Sequence, residues 1–185
     1  MPSHIPTELR RRLEPIRLIV LDVDGVLTDG ILVYGAGGEA LKRFSARDGL
    51  AIRLLLEAGL GVGIISGRRS GAVVIRCREL GIPDHMVIQG SRDKDRDLDV
   101  LEEAAGVEDV QVAAMGDDIP DIPLLRRAGF AACPADAAPE VAAGVHFVCG
   151  AAGGHGAVRE LAELVLKAQG RWRELTAFPP PSGGA

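Results

Sequence analysis

Apolar positions fall into short runs separated by longer stretches of mixed character. Ile16-Arg17-Leu18-Ile19-Val20-Leu21 is β-branched and apolar, and it stops at Asp22. Such a run predicts a buried strand, central in a parallel sheet. Residues 31–34, the turn Gly35-Ala36-Gly37-Gly38 and residues 40–44 predict a β-hairpin. Residues 48–58 predict a mostly apolar helix that ends at Gly59. Strands at 62–65, 86–88, 110–115, 130–133 and 145–148 then alternate with helices at 70–80, 93–105 and 119–128. The last helix, 156–169, carries Ala157, Val158, Leu161, Leu164, Val165 and Ala168 on one side. This rhythm predicts a three-layer α/β sandwich with a parallel sheet.

At 185 residues the chain fits one domain. Residues 15–170 are assigned to it, residues 1–14 to a polar N-terminal extension and residues 171–185 to a flexible tail. The tail's end, Phe178 onward, is rich in Pro, Gly and Ser. Aromatics make up only 3% of the chain, so the core rests on Val, Ile, Leu and Ala. The net charge of −5 argues against a nucleic-acid binder, although clustered arginines can still attract a small anion. No apolar run has the length of a signal peptide or a bilayer span. Cys77, Cys133 and Cys149 are far apart and odd in number, which suits buried thiols in a reducing cytoplasm.

Ligands of such folds bind at the carboxyl ends of the strands. Four polar signals are expected there: Asp22-Val23-Asp24-Gly25, Ser66-Gly67-Arg68, Lys94 and Gly116-Asp117-Asp118. Clustered carboxylates need a compensating cation, and a hard-oxygen set of this kind suits Mg²⁺. With the charge offset, Asp22 can attack phosphorus. Asp24 can protonate the leaving oxygen and then deprotonate the hydrolytic water. Ser66 can bond the phosphoryl oxygens and Lys94 can balance their charge.

Each signal alone has a plain alternative. Asp22-Val23-Asp24-Gly25 by itself reads as a solvated turn, Ser66-Gly67 as a loop and Lys94 as a surface lysine. An EF-hand loop does not fit at Asp22, because Gly25 falls at position four instead of six. In the run from Asp93, Leu98 takes the Gly position and Ala104 the Glu position, so Asp95 and Asp97 read as solvated helix charges. The succession of all four signals at strand ends favours one phosphoryl-transfer site.

Asp22-Val23-Asp24-Gly25-Val26-Leu27-Thr28-Asp29 resembles the first motif of the haloacid dehalogenase-like superfamily. Ile64-Ile65-Ser66-Gly67-Arg68 resembles the second, Lys94 the third and Gly116-Asp117-Asp118-Ile119-Pro120-Asp121 the fourth. The resemblance implies a Rossmann-like sheet and Mg²⁺ held by Asp22, the Asp24 backbone carbonyl and Asp117. It also implies phosphate binding by Ser66, Gly67 and Lys94, with Asp118 and Asp121 in support. The gaps between motifs leave room for a hairpin flap but no cap domain. The expected consequence is a homo-oligomer in which a neighbour covers the site.

Within that superfamily the chain is similar to the capless, tetrameric 3-deoxy-D-manno-octulosonate 8-phosphate phosphatase family. Phe44-Ser45-Ala46-Arg47-Asp48-Gly49 resembles its substrate-touching segment, so Ser45, Ala46, Arg47, Asp48 and Gly49 are implied substrate contacts. Arg53, Arg68 and Arg76 stand where that family carries arginines toward the sugar acid. Gly153-Gly154-His155-Gly156-Ala157-Val158-Arg159-Glu160 resembles its signature before the last helix. The implied function is a cytoplasmic hydrolase acting on a sugar-acid phosphate in lipopolysaccharide synthesis. Sialic-type acid phosphates, an accessory role beside an aromatic-phosphate carboxylase and a non-enzymatic domain stay open as alternatives.

Overall fold

The structure, a computed structural model, describes residues 5–177. Its main strands are β1 (Leu18–Leu21), β4 (Gly61–Ser66), β5 (Val87–Gln89), β6 (Val112–Met115), β7 (Phe130–Cys133) and β8 (Phe147–Val148). They form one parallel sheet in the order β5-β4-β1-β6-β7-β8. A separate antiparallel hairpin pairs β2 (Val33–Gly35) with β3 (Gly38–Leu41). The sandwich, the parallel sheet and the hairpin are those the hydropathy pattern predicts.

The helices are α1 (Thr7–Leu13), α2 (Ala46–Glu57), α3 (Gly71–Leu80), α4 (Lys94–Ala105), α5 (Ile122–Arg127), α6 (Pro139–Ala142), α7 (Ala157–Ala168) and α8 (Trp172–Leu175). The chain steps outward from β1 to β4 and β5, then returns past β1 to β6. Right-handed crossovers therefore put α2 and α3 on one face and α4 and α5 on the other. The contacts agree: α2 packs on α7 and α3, and α4 packs on α5. The reversal leaves a crevice at the carboxyl ends of β1 and β6, where such sheets bind ligands. Only the hairpin and α2 separate β1 from β4, and only α3 and a short 3₁₀ turn lie between β4 and β5, so no inserted cap domain is present.

Burial explains the strand sequences. Every residue of β1, β6 and β7 is buried, which requires unbroken apolar runs rather than alternation. The structure departs from the pattern in several places. Residues 1–14 are expected as a polar extension, yet Ile5, Leu9 and Leu13 recur every fourth residue, and the Ile5 and Leu13 side chains are buried. That stripe makes α1 amphipathic and seats it on α7. The helix expected at 119–128 begins instead as a 3₁₀ turn, Ile119–Asp121, capped by Asp118, and becomes α-helical at Ile122. Residue 110 lies in a 3₁₀ turn, so β6 starts only at Val112.

Within the stretch expected as a tail, α8 places the Trp172 ring beneath Arg159 and Lys167, at 4.9 and 5.2 Å from its centroid. The Pro-rich end expected at 178–185 lies outside the described residues.

The start of α7 ties the two ends of the domain together. Asp48 of α2 is 1% exposed and accepts the N–H groups of Gly156 (3.1 Å) and Arg159 (2.9 Å). Its carboxylate thus satisfies donors that a helix N-terminus leaves unpaired and meets the positive end of the dipole. The preceding turn presses on the loop after β1. The Gly154 N–H donates to the Val26 carbonyl at 2.9 Å. A Cβ on Gly153 would stand 1.8 Å from the Gly25 carbonyl oxygen, so only glycine fits. Asp48→Ala is expected to lower the unfolding free energy by about 2 to 3 kcal/mol, the scale of a lost charged hydrogen-bond acceptor in a buried place. Urea denaturation measures this, and an unchanged midpoint would remove the capping role.

Candidate active site

β1 delivers Asp22 to the crevice, β6 delivers Asp117, and α4 opens with Lys94. Oxygens of Asp22, Asp117 and Asp121 all lie within 4.8 Å of one another. Lys94 Nζ donates to Asp22 Oδ1 at 2.6 Å and also to Asp121 Oδ1. Asp121 Oδ2 accepts the Asp117 and Asp118 N–H groups at 3.0 and 3.2 Å, so this buried residue shapes the loop that presents Asp117. The loop after β1 comes very close to that residue. Gly25, at φ +102°, has no Cβ to strike Asp117 Oδ2, which a methyl would meet at 2.1 Å.

Crowding sets the protonation of this cluster. Burial pushes the Asp22 carboxyl up to about 6, against the pull of Lys94. Asp117 is pushed up to about 7 by burial and by the charges of Asp22, Asp121 and Asp118. Three carboxylates face one ammonium here, which leaves an excess of negative charge suited to a divalent hard cation. Asp22 and Asp117 fit the metal-ligand roles the resemblance implies.

Asp24's carboxylate is not among the clustered oxygens. Its Oδ1 accepts from Lys42, and its Oδ2 lies 3.5 Å from Arg68 Nε. Arg68 in turn donates to the Tyr34 hydroxyl at 2.7 Å, and its guanidinium lies 5.7 Å from that ring's centroid. Ser66 is buried at the end of β4, where its Oγ accepts the Arg68 N–H at 3.3 Å. Gly67 follows directly, with Ser91 O 3.8 Å from where its Cβ would be. Asp118 is exposed and bonds its own loop through Ile119 N–H at 2.7 Å.

The implied substrate segment divides. Ser45 caps α2 by accepting the Asp48 N–H at 3.3 Å, and its carbonyl accepts from Arg76 at 3.4 Å. Gly49 lies against Arg76, whose Nη2 would be 2.1 Å from an added Cβ. Asp48 faces α7, with both oxygens occupied there. Ala46, Arg47 and Arg53 are exposed on α2, and among the described residues no hydrogen bond ties their side chains to the cluster.

Sequence reasoning did not single out Lys42, Glu39 or Tyr34. A lysine within an expected hairpin carries no motif signal. Only the fold shows that the hairpin lies over Asp24.

Comparison with known proteins agrees with this geometry. The family described as haloacid dehalogenase-like hydrolase matches residues 81–161. The 3-deoxy-D-manno-octulosonate 8-phosphate phosphatase of Salmonella typhi is 41% identical over 92% of this chain and 89% of its own. The enzyme of that name from Moraxella catarrhalis, solved with magnesium ion, phosphate ion and KDO, superposes with a TM-score of 0.89. It is 37% identical, and the match covers 94% of this chain and 98% of that one. The cobalt-bound phosphatase of Haemophilus influenzae gives a TM-score of 0.83 at 42% identity, over 86% of this chain and 92% of that one.

The fold and the four strand-end motifs define a haloacid dehalogenase-like hydrolase. Within that class the chain belongs to the 3-deoxy-D-manno-octulosonate 8-phosphate phosphatase family.

The raised carboxyls give a signed pH dependence. Asp22 and Asp117 hold protons in the folded state at pH values where the unfolded chain, with carboxyls near their ordinary values, has lost them. Their contribution to stability is therefore present at low pH and lost as pH rises through about 6 to 7. Without divalent metal, the melting temperature is expected to fall from pH 5.5 to pH 8. Added Mg²⁺ should raise it more at pH 8 than at pH 5.5, because the ligands must be ionised. Asp117→Asn should weaken both trends in thermal melts with EDTA or Mg²⁺, and fully retained trends would rule out Asp117 as a source of them.

Proposed function

We propose that this chain hydrolyses 3-deoxy-D-manno-octulosonate 8-phosphate to the free sugar acid and phosphate, in lipopolysaccharide precursor synthesis. The observation that carries this reading is Asp22, held by Lys94 at 2.6 Å beside Asp117 in the crevice of the sheet. The names of the relatives supply the substrate, and the arginines near the site suit its second anion. An Arg fork binds a carboxylate bidentately; Arg68 lies in the loop after Ser66, donating its N–H to Ser66 Oγ, and Arg76 of α3 donates to the Ser45 carbonyl.

In the proposed reaction, Ser66, the Gly67 backbone and Lys94 bind the phosphoryl oxygens. An Asp22 oxygen attacks phosphorus, the ester P–O bond breaks and Asp24 gives its proton to the leaving hydroxyl oxygen. Asp24 then takes a proton from a water that attacks the aspartyl-phosphate, freeing Asp22 and inorganic phosphate. Mg²⁺, held by Asp22, Asp117 and the Asp24 carbonyl, supplies the positive charge that lets a phosphate dianion approach a carboxylate. Lys94 keeps the Asp22 side chain oriented, and Asp121 keeps Lys94 and the Asp117 loop in place.

A site without a cap needs another way to exclude water. The hairpin exposes Ile31, Leu32, Val33, Tyr34 and Leu41, an apolar surface suited to a second copy of the chain. The assembly proposed is a homotetramer in the cytoplasm, where the three buried thiols stay reduced.

Phosphate release from a panel of sugar-acid and aromatic phosphates with Mg²⁺ tests the substrate. The octulosonate ester should give the highest kcat/KM, and a preference for phenyl phosphate would overturn the assignment. Asp22→Asn should lower kcat by about 10³-fold or more, as expected for loss of the nucleophile. Light scattering on the active enzyme tests the assembly, and an active monomer would sink it.

A further inference from the structure

The hairpin carries a lysine whose environment is unusual for a surface flap. The Lys42 side chain is 2% exposed, and its ammonium contacts two carboxylates, Asp24 Oδ1 and Glu39 Oε2, the latter at 3.4 Å. Glu39 is itself held, because its Oε1 accepts the Ser70 hydroxyl at the start of α3 and its Oε2 lies 3.5 Å from Arg68 Nη2. A buried ammonium is costly unless paired. Its two partners therefore define where Lys42 can sit.

The hairpin pairs only with itself as a sheet. Among the described residues, side-chain hydrogen bonds from the hairpin, residues 33–42, to the body end on three residues: Asp24, Arg68 and Ser70. One of these carries the proposed proton transfer, and the other two flank the Ser66 loop. Asp24 is thus held by Lys42 of the flap on one oxygen, while Arg68 Nε of the body lies 3.5 Å from the other. A carboxylate that must reach a leaving oxygen and later a water works only in a narrow range of orientations. An aspartate at a loop tip would otherwise sample several rotamers.

We propose that Lys42, seated by Glu39, is a positioning residue that fixes the Asp24 carboxylate for proton transfer, so that the hairpin acts as the orienting arm of the acid–base group. This rests on the phosphatase reading above and adds a residue that none of the four motifs contains. Lys42 forms and breaks no bond to the substrate. Its effect is on how well Asp24 donates a proton to the departing oxygen.

The test is the leaving-group dependence of kcat/KM, which reports the first irreversible step. Wild type, Lys42→Met and Lys42→Arg are compared on simple alkyl phosphates, phenyl phosphate and para-nitrophenyl phosphate with saturating Mg²⁺. Lys42→Met is expected to lose at least about tenfold in kcat/KM on alkyl esters, whose leaving oxygen needs a proton, the scale of a weakened general acid. On para-nitrophenyl phosphate, which leaves readily as an anion, the loss should stay within about twofold. Lys42→Arg should recover most of the alkyl rate. Glu39→Gln, which loosens the seat but keeps the lysine, should show the same pattern at smaller amplitude and serves where Lys42→Met fails to fold. An equal loss on all esters would overturn the proposal, because it would mark a merely structural role. So would a change confined to KM. A wild-type enzyme inactive on every phosphate would overturn the phosphatase reading itself, and this proposal with it.

Discussion

Lys94 lies where water barely reaches, between Asp22 and Asp121, and the geometry of the site follows from that contact. Three carboxylates packed this closely repel each other and are poorly solvated. The lysine offsets part of that charge, and its two hydrogen bonds orient what they touch. Asp121 passes the constraint on through the backbone N–H groups of Asp117 and Asp118. One ammonium thereby sets the direction of the Asp22 carboxylate and of the loop carrying Asp117. The excess negative charge that remains is what a divalent cation would offset. A buried pair of this kind adds little to net stability, so its value lies in orientation.

The fold makes that contact possible by reversing direction at β1. Strands added on one side bring Ser66 and Lys94, and strands added on the other bring Asp117. Residues 72 positions apart in sequence, Asp22 and Lys94, meet only because β1 is central. The protein carries a net charge of −5, yet Lys42, Arg68 and Lys94 pair with Asp24 and Asp22 at the crevice. An anionic substrate responds to that local field more than to the distant surface charge.

Most of this was legible before any coordinates. Unbroken apolar runs ending in Asp22 and Ser66 announce buried parallel strands with polar tips, because strands covered on both faces have no polar side to alternate with. The helix α1 was not legible, since three apolar residues spaced among charged ones look like surface until α7 is there to receive them. Lys42 was hidden for a related reason. Its partner is 18 residues away across a turn, and no local spacing records a contact made by folding a flap over a loop. Asp48 was expected as a substrate contact and not as a helix cap, because its two partners lie at the start of α7, more than 100 positions along the chain.

The Gly-rich turn before α7 completes this account. Its glycines contribute no chemistry; they contribute absence of volume. Gly153 lets the turn lie against the Gly25 carbonyl, and Gly25 lets the same loop lie against Asp117. Asp48 then holds the turn from below through Gly156. Three close approaches thus run in series from the C-terminal helix through the loop after β1 to the acid on β6. A methyl group at Gly25 would push directly on Asp117, and one at Gly153 would push on the Gly25 loop, since protein interiors give little under such pressure. The motif that looks least catalytic in the sequence therefore sets how closely the loop after β1 can lie against Asp117.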